Sequence, residues 1–269
     1  MKHDQVKVVA MILMVVDHFG VYFYNILPYS VYHIIRMIGR TVAPLFLMLI
    51  IQSARFTNNR KKLIVRLYIA NLVTVLFIET LNLMEPFFWS NMASENTFAT
   101  WFFVVAIIDY IETSTMKNGQ KAIIALVLIL MIQIYGAIID LAVKLVEVSW
   151  RSSLRYILNA IAPNPFTVEY SIGFIIIGVI CYFARSKRTF AIIIAGLSCF
   201  LYVYNPSGNV WPFNDLFAPD QYWMILSLPF VLVLSDKKEK KEKQMLGHLD
   251  YFFYPAHMCL FNVLSTLFS

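Results

Sequence analysis

Charged residues are scarce in this sequence. Aspartate, glutamate, lysine and arginine make up 14% of its 269 residues, whereas hydrophobic residues make up 59%. In a soluble domain only about half of the residues are apolar, so the apolar fraction here is high. The mean hydropathy of +0.67 agrees with this. These values argue against a soluble globular protein and predict an integral membrane protein.

Cysteine is also rare. The three cysteines, Cys181, Cys199 and Cys259, all lie in apolar runs and show no CxxC spacing. A disulfide framework or a zinc site is therefore not predicted, and we expect no metal. The excess of 22 basic over 16 acidic residues falls in short loops between apolar runs. It indicates membrane topology, and no nucleic-acid partner is expected.

Signals for processing and for domain division are lacking as well. The first apolar run is about twenty residues long and has no small-residue cleavage site, which predicts a first membrane helix instead of a cleaved signal peptide. The sequence has no Gly/Ser linker and no evident internal repeat, so we expect a single domain over residues 1–269. The missing repeat also disfavours a transporter built from duplicated halves.

Apolar runs of about 20 residues predict an all-α, polytopic bundle. We expect nine membrane spans near 7–27, 31–53, 63–83, 97–115, 121–144, 166–184, 189–204, 220–235 and 249–267. Basic clusters fall on alternate sides of these spans, which predicts a cytoplasmic N-terminus by the positive-inside rule. Only the segment 145–165 places positive charge outside, and it is predicted to be an amphipathic surface helix.

Ionisable residues interrupt the apolar runs at one depth. Counting 1.5 Å per residue places Asp17 and His18 about 13 to 15 Å below the outer end of the first helix, level with Arg40 on the second. His257 lies about 12 Å in from the other end of the last helix, two residues after Pro255. An ionised side chain inside a bilayer has an unfavourable free energy, so these residues are candidates for function.

The second span carries His33, Arg36 and Arg40 on one helical stripe. Two arginines four residues apart repel unless an anion lies between them, and Asp17 or a bound ligand would supply one. We expect Asp17 to pair with Arg40. A structural brace between helices remains an alternative for this pair, as do ordinary hydrogen-bonding roles for His18 and His257.

Several sequence motifs resemble one family. They read KVVAMILMVVDHFG, RMIGRTVAPLFLMLI, ENTFATWFFV, QYWMILSLPFVLVL and YFFYPAHM in chain order, and together they are similar to the TraX family of polytopic membrane proteins, named for the acetylation of conjugative pilin. The matching motif positions are Asp17, His18, Gly39, Arg40, Pro44, Asn96, Tyr254, Pro255 and His257. The resemblance also links the chain, more distantly, to the membrane acyltransferases that acetylate surface sugars.

The resemblance implies an acyltransferase that takes an acetyl group from cytosolic acetyl-CoA. A catalytic group of four residues is then expected, with His18 as the base, His257 stabilising the tetrahedral oxygen or relaying the proton, and Asp17 and Arg40 beside them. Arg36, Arg55, Arg66 and Asn71 are the expected cofactor-binding residues, although the positive-inside rule also explains the basic loop containing Arg55. Asn96, Glu169 and Tyr170 are expected to shape the acceptor site.

The acceptor is left open as a peptide amine, a sugar or a small secreted molecule at a bacterial cell membrane. Membrane lipids are the other expected partners, and no obligate protein partner is evident. Two other classes of function remain alternatives. A proton-coupled exporter would use the same Asp, His and Arg residues without consuming acetyl-CoA, and a non-catalytic partner of a secretion apparatus would tolerate the loss of His18.

Overall fold

A computed structural model describes residues 3–82, 97–145, 148–166, 168–204, 220–234 and 249–268. Within these ranges the chain forms helices joined by turns and no β-strand, which confirms the predicted all-α class. The α-helices are α1 His3–Tyr22, α2 Tyr29–Gly39, α3 Val42–Phe56, α4 Arg60–Asn82, α5 Thr97–Thr113, α6 Asn118–Lys144, α7 Val148–Ile161, α8 Ser171–Ala184, α9 Lys187–Tyr204, α10 Leu228–Val233 and α11 Leu249–Phe268. A 3₁₀ helix, Gln221–Ser227, leads into α10.

Four helical segments in the described ranges are long and apolar enough to cross a membrane. They are α1, the pair α2–α3 taken together over Tyr29–Phe56, α4 and α9. Their outward side chains are apolar: Ile12, Ile69 and Ile192 are 58%, 52% and 70% exposed, as expected of side chains that face lipid. The helices are therefore those of a membrane protein, while the count of nine spans and the cytoplasmic N-terminus stay predictions.

The second predicted span, 31–53, is not one helix. It is divided at Arg40–Thr41 into α2 and α3. Pro44 explains the break, because it has no N–H to donate to the carbonyl of Arg40 and its ring crowds that carbonyl. The hydroxyl and the backbone N–H of Thr41 both donate to the carbonyl of Ile38 instead, at 2.7 and 3.1 Å.

Proline also alters the predicted span 220–235. The described part begins as a 3₁₀ helix, and the N–H of Leu228 bonds three residues back to Ile225. α10 starts at Leu228, and its second residue, Pro229, has no N–H to donate, which suits the first turn of a helix. In the predicted surface segment 145–165, the structure has α7, so the helix is confirmed and its location at the membrane surface stays a prediction.

The chain forms two compact units. The terminal unit comprises Met1–Asn58 and Tyr170–Ser269, and the middle unit comprises Asn59–Glu169. In the terminal unit α1 packs against α2, α3 and α11, while α3 also packs against α8 and the 3₁₀ helix. Residues predicted for catalysis thereby come together from both ends of the chain. The single domain expected from sequence stays a prediction.

In the middle unit, polar side chains of α4 donate hydrogen bonds to backbone carbonyls of α7. Helix α4 packs against α5 and α7. Asn71 on α4 donates to the carbonyl of Ala160 at 3.0 Å, and the Tyr68 hydroxyl donates to that of Ile161 at 2.6 Å. These bonds satisfy carbonyls at the C-terminus of α7 that lack a partner within the helix.

Candidate active site

Two glycines allow α1 and α2 to approach each other closely. A side chain at Gly39 would collide with the carboxylate of Asp17, and a Cβ atom at Gly20 would lie 2.6 Å from Cγ2 of Ile35. Both glycines belong to the motifs noted in the sequence, as the last residue of DH-x-G and the glycine of IGR-x-x-x-P. Their role in the structure is therefore to bring Asp17 against the backbone of α2.

Asp17 forms an ion pair with Arg36. The Nη1 atom of Arg36 donates to Oδ1 of Asp17, and the two side chains are 17% and 20% exposed. Arg36 reaches the carboxylate because it lies three residues before Gly39 on the same helical face, and its Cδ passes 3.7 Å from the position of a Cβ on Gly20. Arg36, predicted to hold the cofactor, thus pairs with Asp17, and Arg40, the partner expected from sequence, interacts electrostatically with the same residue.

Substituting Gly39 tests whether this close approach matters. A Gly39→Ala methyl group would overlap the Asp17 carboxylate, so we expect the free energy of unfolding to fall by about 1–3 kcal/mol, as for other overpacked sites. Reversible unfolding in mixed detergent micelles measures the change.

Gly196 on α9 provides the matched control, because a Cβ built there meets nothing within 4 Å. Gly196→Ala is expected to be neutral or to stabilise the helix by up to about 1 kcal/mol. Equal losses from the two substitutions would contradict the packing role of Gly39.

His18 and His257 form a direct hydrogen bond between α1 and α11. Nδ1 of His18 lies 2.6 Å from Nε2 of His257. The ring centroids are 4.9 Å apart and the ring planes differ by 8°, so the rings lie edge to edge with the bond close to both planes. The sequence placed both residues in one site but did not predict this contact.

The backbone determines which nitrogen of each neutral ring carries the proton. Nδ1 of His257 lies 2.7 Å from the carbonyl oxygen of Phe253. A carbonyl only accepts, so Nδ1 of His257 carries the hydrogen and its Nε2 accepts from Nδ1–H of His18. The remaining lone pair is then on Nε2 of His18. In this neutral tautomer His18 can accept a proton as a general base.

Aromatic side chains surround the two histidines. The ring of Tyr254 contacts both, at centroid distances of 5.9 Å to His18 and 5.7 Å to His257, and Phe253 stacks on His257 at 5.1 Å. Phe261 meets the edge of the His257 ring at 6.1 Å. His257 and Tyr254 are only 7% and 4% exposed, so this side of the pair excludes water and strengthens the hydrogen bonds.

The remaining predicted catalytic residue, Arg40, lies at the break between α2 and α3. It interacts electrostatically with Asp17, with Tyr170 and with Asp220. Asp220 was not singled out from the sequence; it also lies 3.8 Å from His33 and accepts from the Tyr222 hydroxyl at 3.4 Å. A carboxylate at the start of a distant helix is not foreseeable from sequence spacing alone.

The expected acceptor residues have different environments. The backbone carbonyl of Glu169 accepts a hydrogen bond from the Thr100 hydroxyl. Tyr170 precedes α8 in a left-handed conformation, with φ of 66°, and its ring packs against Phe174 at 5.2 Å. Asn96 lies outside the described residues. An acceptor site formed by these three residues stays a prediction.

The expected cofactor residues have different contacts. Arg36 pairs with Asp17, and Asn71 is 2% exposed and bonded to α7. Arg66 lies half-buried on α4. Arg55 borders a cavity. In the described ranges no three His, Cys, Asp or Glu side chains come together as metal ligands.

Comparison with known proteins identifies a family. The sequence model described as TraX protein matches residues 2–161 of this chain, a range that contains Asp17, His18, Gly39 and Arg40. The motif with Tyr254 and His257, which is part of the resemblance stated from sequence, lies after the matched range. Neither a curated protein nor a solved structure matches the chain.

Proposed function

The chain belongs to the TraX family, and from this premise we propose that it is a membrane acyltransferase. It moves an acetyl group from cytosolic acetyl-CoA to an amine or hydroxyl of an acceptor at or beyond the outer side of the bacterial cell membrane. The observation that carries the proposal is the hydrogen-bonded series from His18 through His257 to the carbonyl of Phe253. This series favours one tautomer of a histidine inside an apolar helix bundle.

The reaction uses His18 as general base and then as general acid. Nε2 of His18 takes the proton from the acceptor as its nitrogen or oxygen attacks the thioester carbonyl. The tetrahedral intermediate collapses, the bond from carbon to sulfur breaks, and the proton on Nε2 passes to the departing sulfur. The products are the acetylated acceptor and CoA.

His257 supports the charged form of His18. When Nε2 of His18 takes up a proton, the ring becomes cationic and its Nδ1–H donates more strongly to His257. A carboxylate plays the equivalent part in Ser-His-Asp hydrolases. Of the two roles expected from sequence, proton relay therefore suits His257 better than stabilisation of the tetrahedral oxygen, and orientation of His18 is an additional role.

We assign the developing oxyanion to Arg40. The ion pair of Asp17 and Arg36 fixes α1 against α2, so the guanidinium of Arg36 has a structural role. Arg40 lies one turn further along the same stripe and adds positive charge at the level of Asp17. Glu169 and Tyr170 are retained as proposed acceptor residues.

Equilibrium binding of labelled acetyl-CoA to the protein in detergent tests the donor. Saturable binding that unlabelled CoA displaces, followed by acceptor-dependent release of CoA thiol, is the expected result. Proton flux through reconstituted vesicles without any binding or thiol release would instead favour the proton-coupled transporter, which uses the same Asp17, His18 and Arg40.

Substituting His257 tests the orientation of His18. His257→Ala removes the acceptor of the Nδ1–H bond, so we expect kcat to fall by at least about tenfold while acetyl-CoA binding stays unchanged. Thiol release under saturating donor measures kcat. A variant with full kcat would show that His18 is oriented by other groups.

A further inference from the structure

A cavity of about 350 Å³ lies within the terminal unit, lined by Gln52, Arg55, Phe56, Tyr182 and Arg185. The first three residues come from the last turns of α3, and the other two come from the end of α8. The lining contains two guanidinium groups and a carboxamide, and no carboxylate. Its volume is at the small end of the range for ligand sites.

Arg55 is held rigidly at the wall of this cavity. Its Nη2 atom donates to the carbonyl oxygens of Cys181 and Tyr182, each at 2.8 Å. Its guanidinium carbon lies 5.6 Å from the centroid of the Tyr182 ring. Because both hydrogens of Nη2 are donated to α8, Arg55 contributes a fixed positive charge to the cavity wall at little further cost in side-chain entropy.

Arg185 occupies a backbone position that normally favours glycine. It ends α8 with φ of 53° and ψ of 14°, the left-handed conformation in which a Cβ atom is unfavourable. An arginine that tolerates this strain beside a cavity points to a requirement for its side chain.

We propose that this cavity binds a phosphate group, as a phosphate monoester or a diphosphate. Arg185 can match phosphate oxygens with paired N–H donors, and the fixed positive charge of Arg55 lies on the same cavity wall. The phosphate has two available sources, CoA and the headgroup of an anionic lipid. Assigning it to CoA deepens, and rests on, the proposed acyltransfer.

Helix α3 connects the cavity with the histidine site. Its first residue, Val42, lies three residues after Gly39, which contacts Asp17. Arg55 lies thirteen residues after Val42 on the same helix. At 1.5 Å per residue these positions are about 20 Å apart along the helix. A donor with phosphates at one end, a thioester at the other and a long thin arm between them would span both sites, and CoA has this form.

Competition binding with Arg185→Gln tests the proposal. In the first arm, labelled CoA is titrated into the full-length protein in detergent, and dephospho-CoA and pyrophosphate serve as competitors. In the second arm, the protein is placed in anionic-lipid nanodiscs, and stabilisation by the lipid is measured by thermal unfolding. We expect Arg185→Gln to weaken CoA and pyrophosphate binding by about tenfold or more, the usual effect of losing a charge-assisted hydrogen bond. Arg188→Gln is the matched control, since Arg188 is exposed three residues away and does not line the cavity.

The outcomes separate the source of the phosphate. Equal effects of the two substitutions, or no phosphate binding in either arm, would overturn the proposal. Sensitivity to Arg185 in the nanodisc arm alone supports a phosphate site for lipid. Sensitivity in the CoA arm without any acetyl transfer supports the CoA site while the proposed acyltransfer fails. Arg55→Gln is not the primary variant because it also removes the bonds to α8.

Discussion

His18→Ala is expected to lower kcat for acetyl transfer by about 100- to 10,000-fold, the contribution of a positioned general base. The substitution removes Nε2 of His18, whose lone pair accepts the proton in the proposed reaction. It also breaks the hydrogen bond to His257. Binding of acetyl-CoA should change little, since the proposed phosphate site lies at the other end of α3. The measurement is acceptor-dependent thiol release at saturating acetyl-CoA.

His33→Ala is the matched control for the loss of a histidine. His33 lies on α2 in the same unit, with a side chain that is 41% exposed and 3.8 Å from Asp220. We expect its kcat to stay within about twofold of the unsubstituted protein, because a surface substitution removes little. Full transfer by His18→Ala, or equal losses in both variants, would remove His18 from the mechanism.

Asp17→Asn is expected to lower the free energy of unfolding by about 3 kcal/mol, because it leaves the mostly buried guanidinium of Arg36 without its anion. The two side chains are 20% and 17% exposed, so water compensates the lost charge poorly. Unfolding in mixed detergent micelles measures the loss. Activity should fall as well, since the pair fixes the helix that carries His18 against α2.

Two further variants decide whether the loss comes from the pair. Adding Arg36→Gln to Asp17→Asn removes the uncompensated charge and should restore most of the stability. Asp140→Asn breaks the exposed pair with Arg155, in which both side chains are 53% exposed, and should cost less than about 1 kcal/mol. A double variant no better than Asp17→Asn alone would show that the carboxylate acts through another partner.

Gly39 and Pro44 show which features of the fold the sequence can predict. Motif resemblance pointed to Gly39, yet sequence gives no reason for a glycine at that position. The reason is a contact with Asp17 from another helix. Pro44 is different, because a proline inside an apolar run predicts a break four residues before it, at Arg40. That signal was present in the sequence, and the prediction of one helix over 31–53 overlooked it.

Partner selection among charged residues depended on tertiary structure. Helical periodicity correctly put Arg36 and Arg40 on one stripe facing Asp17, but both satisfy that periodicity. Arg36 donates a hydrogen bond to Asp17, while Arg40 acts on the same residue electrostatically. A choice between two residues of equal type and similar depth requires the packing of neighbouring side chains, which spacing does not contain.

The sequence by itself determined that this protein is a helical membrane protein of the TraX family, with Asp17, His18 and His257 as its outstanding polar residues. Apolar run length, hydropathy and local motifs are properties of neighbouring residues, so they can be read directly from the chain. Only the tertiary structure joined His18 to His257, across 239 positions, and gathered Arg55 and Arg185 around one cavity. Those contacts arise from the packing of helices distant in sequence, and the free energies that select one packing over another are not encoded in any single stretch.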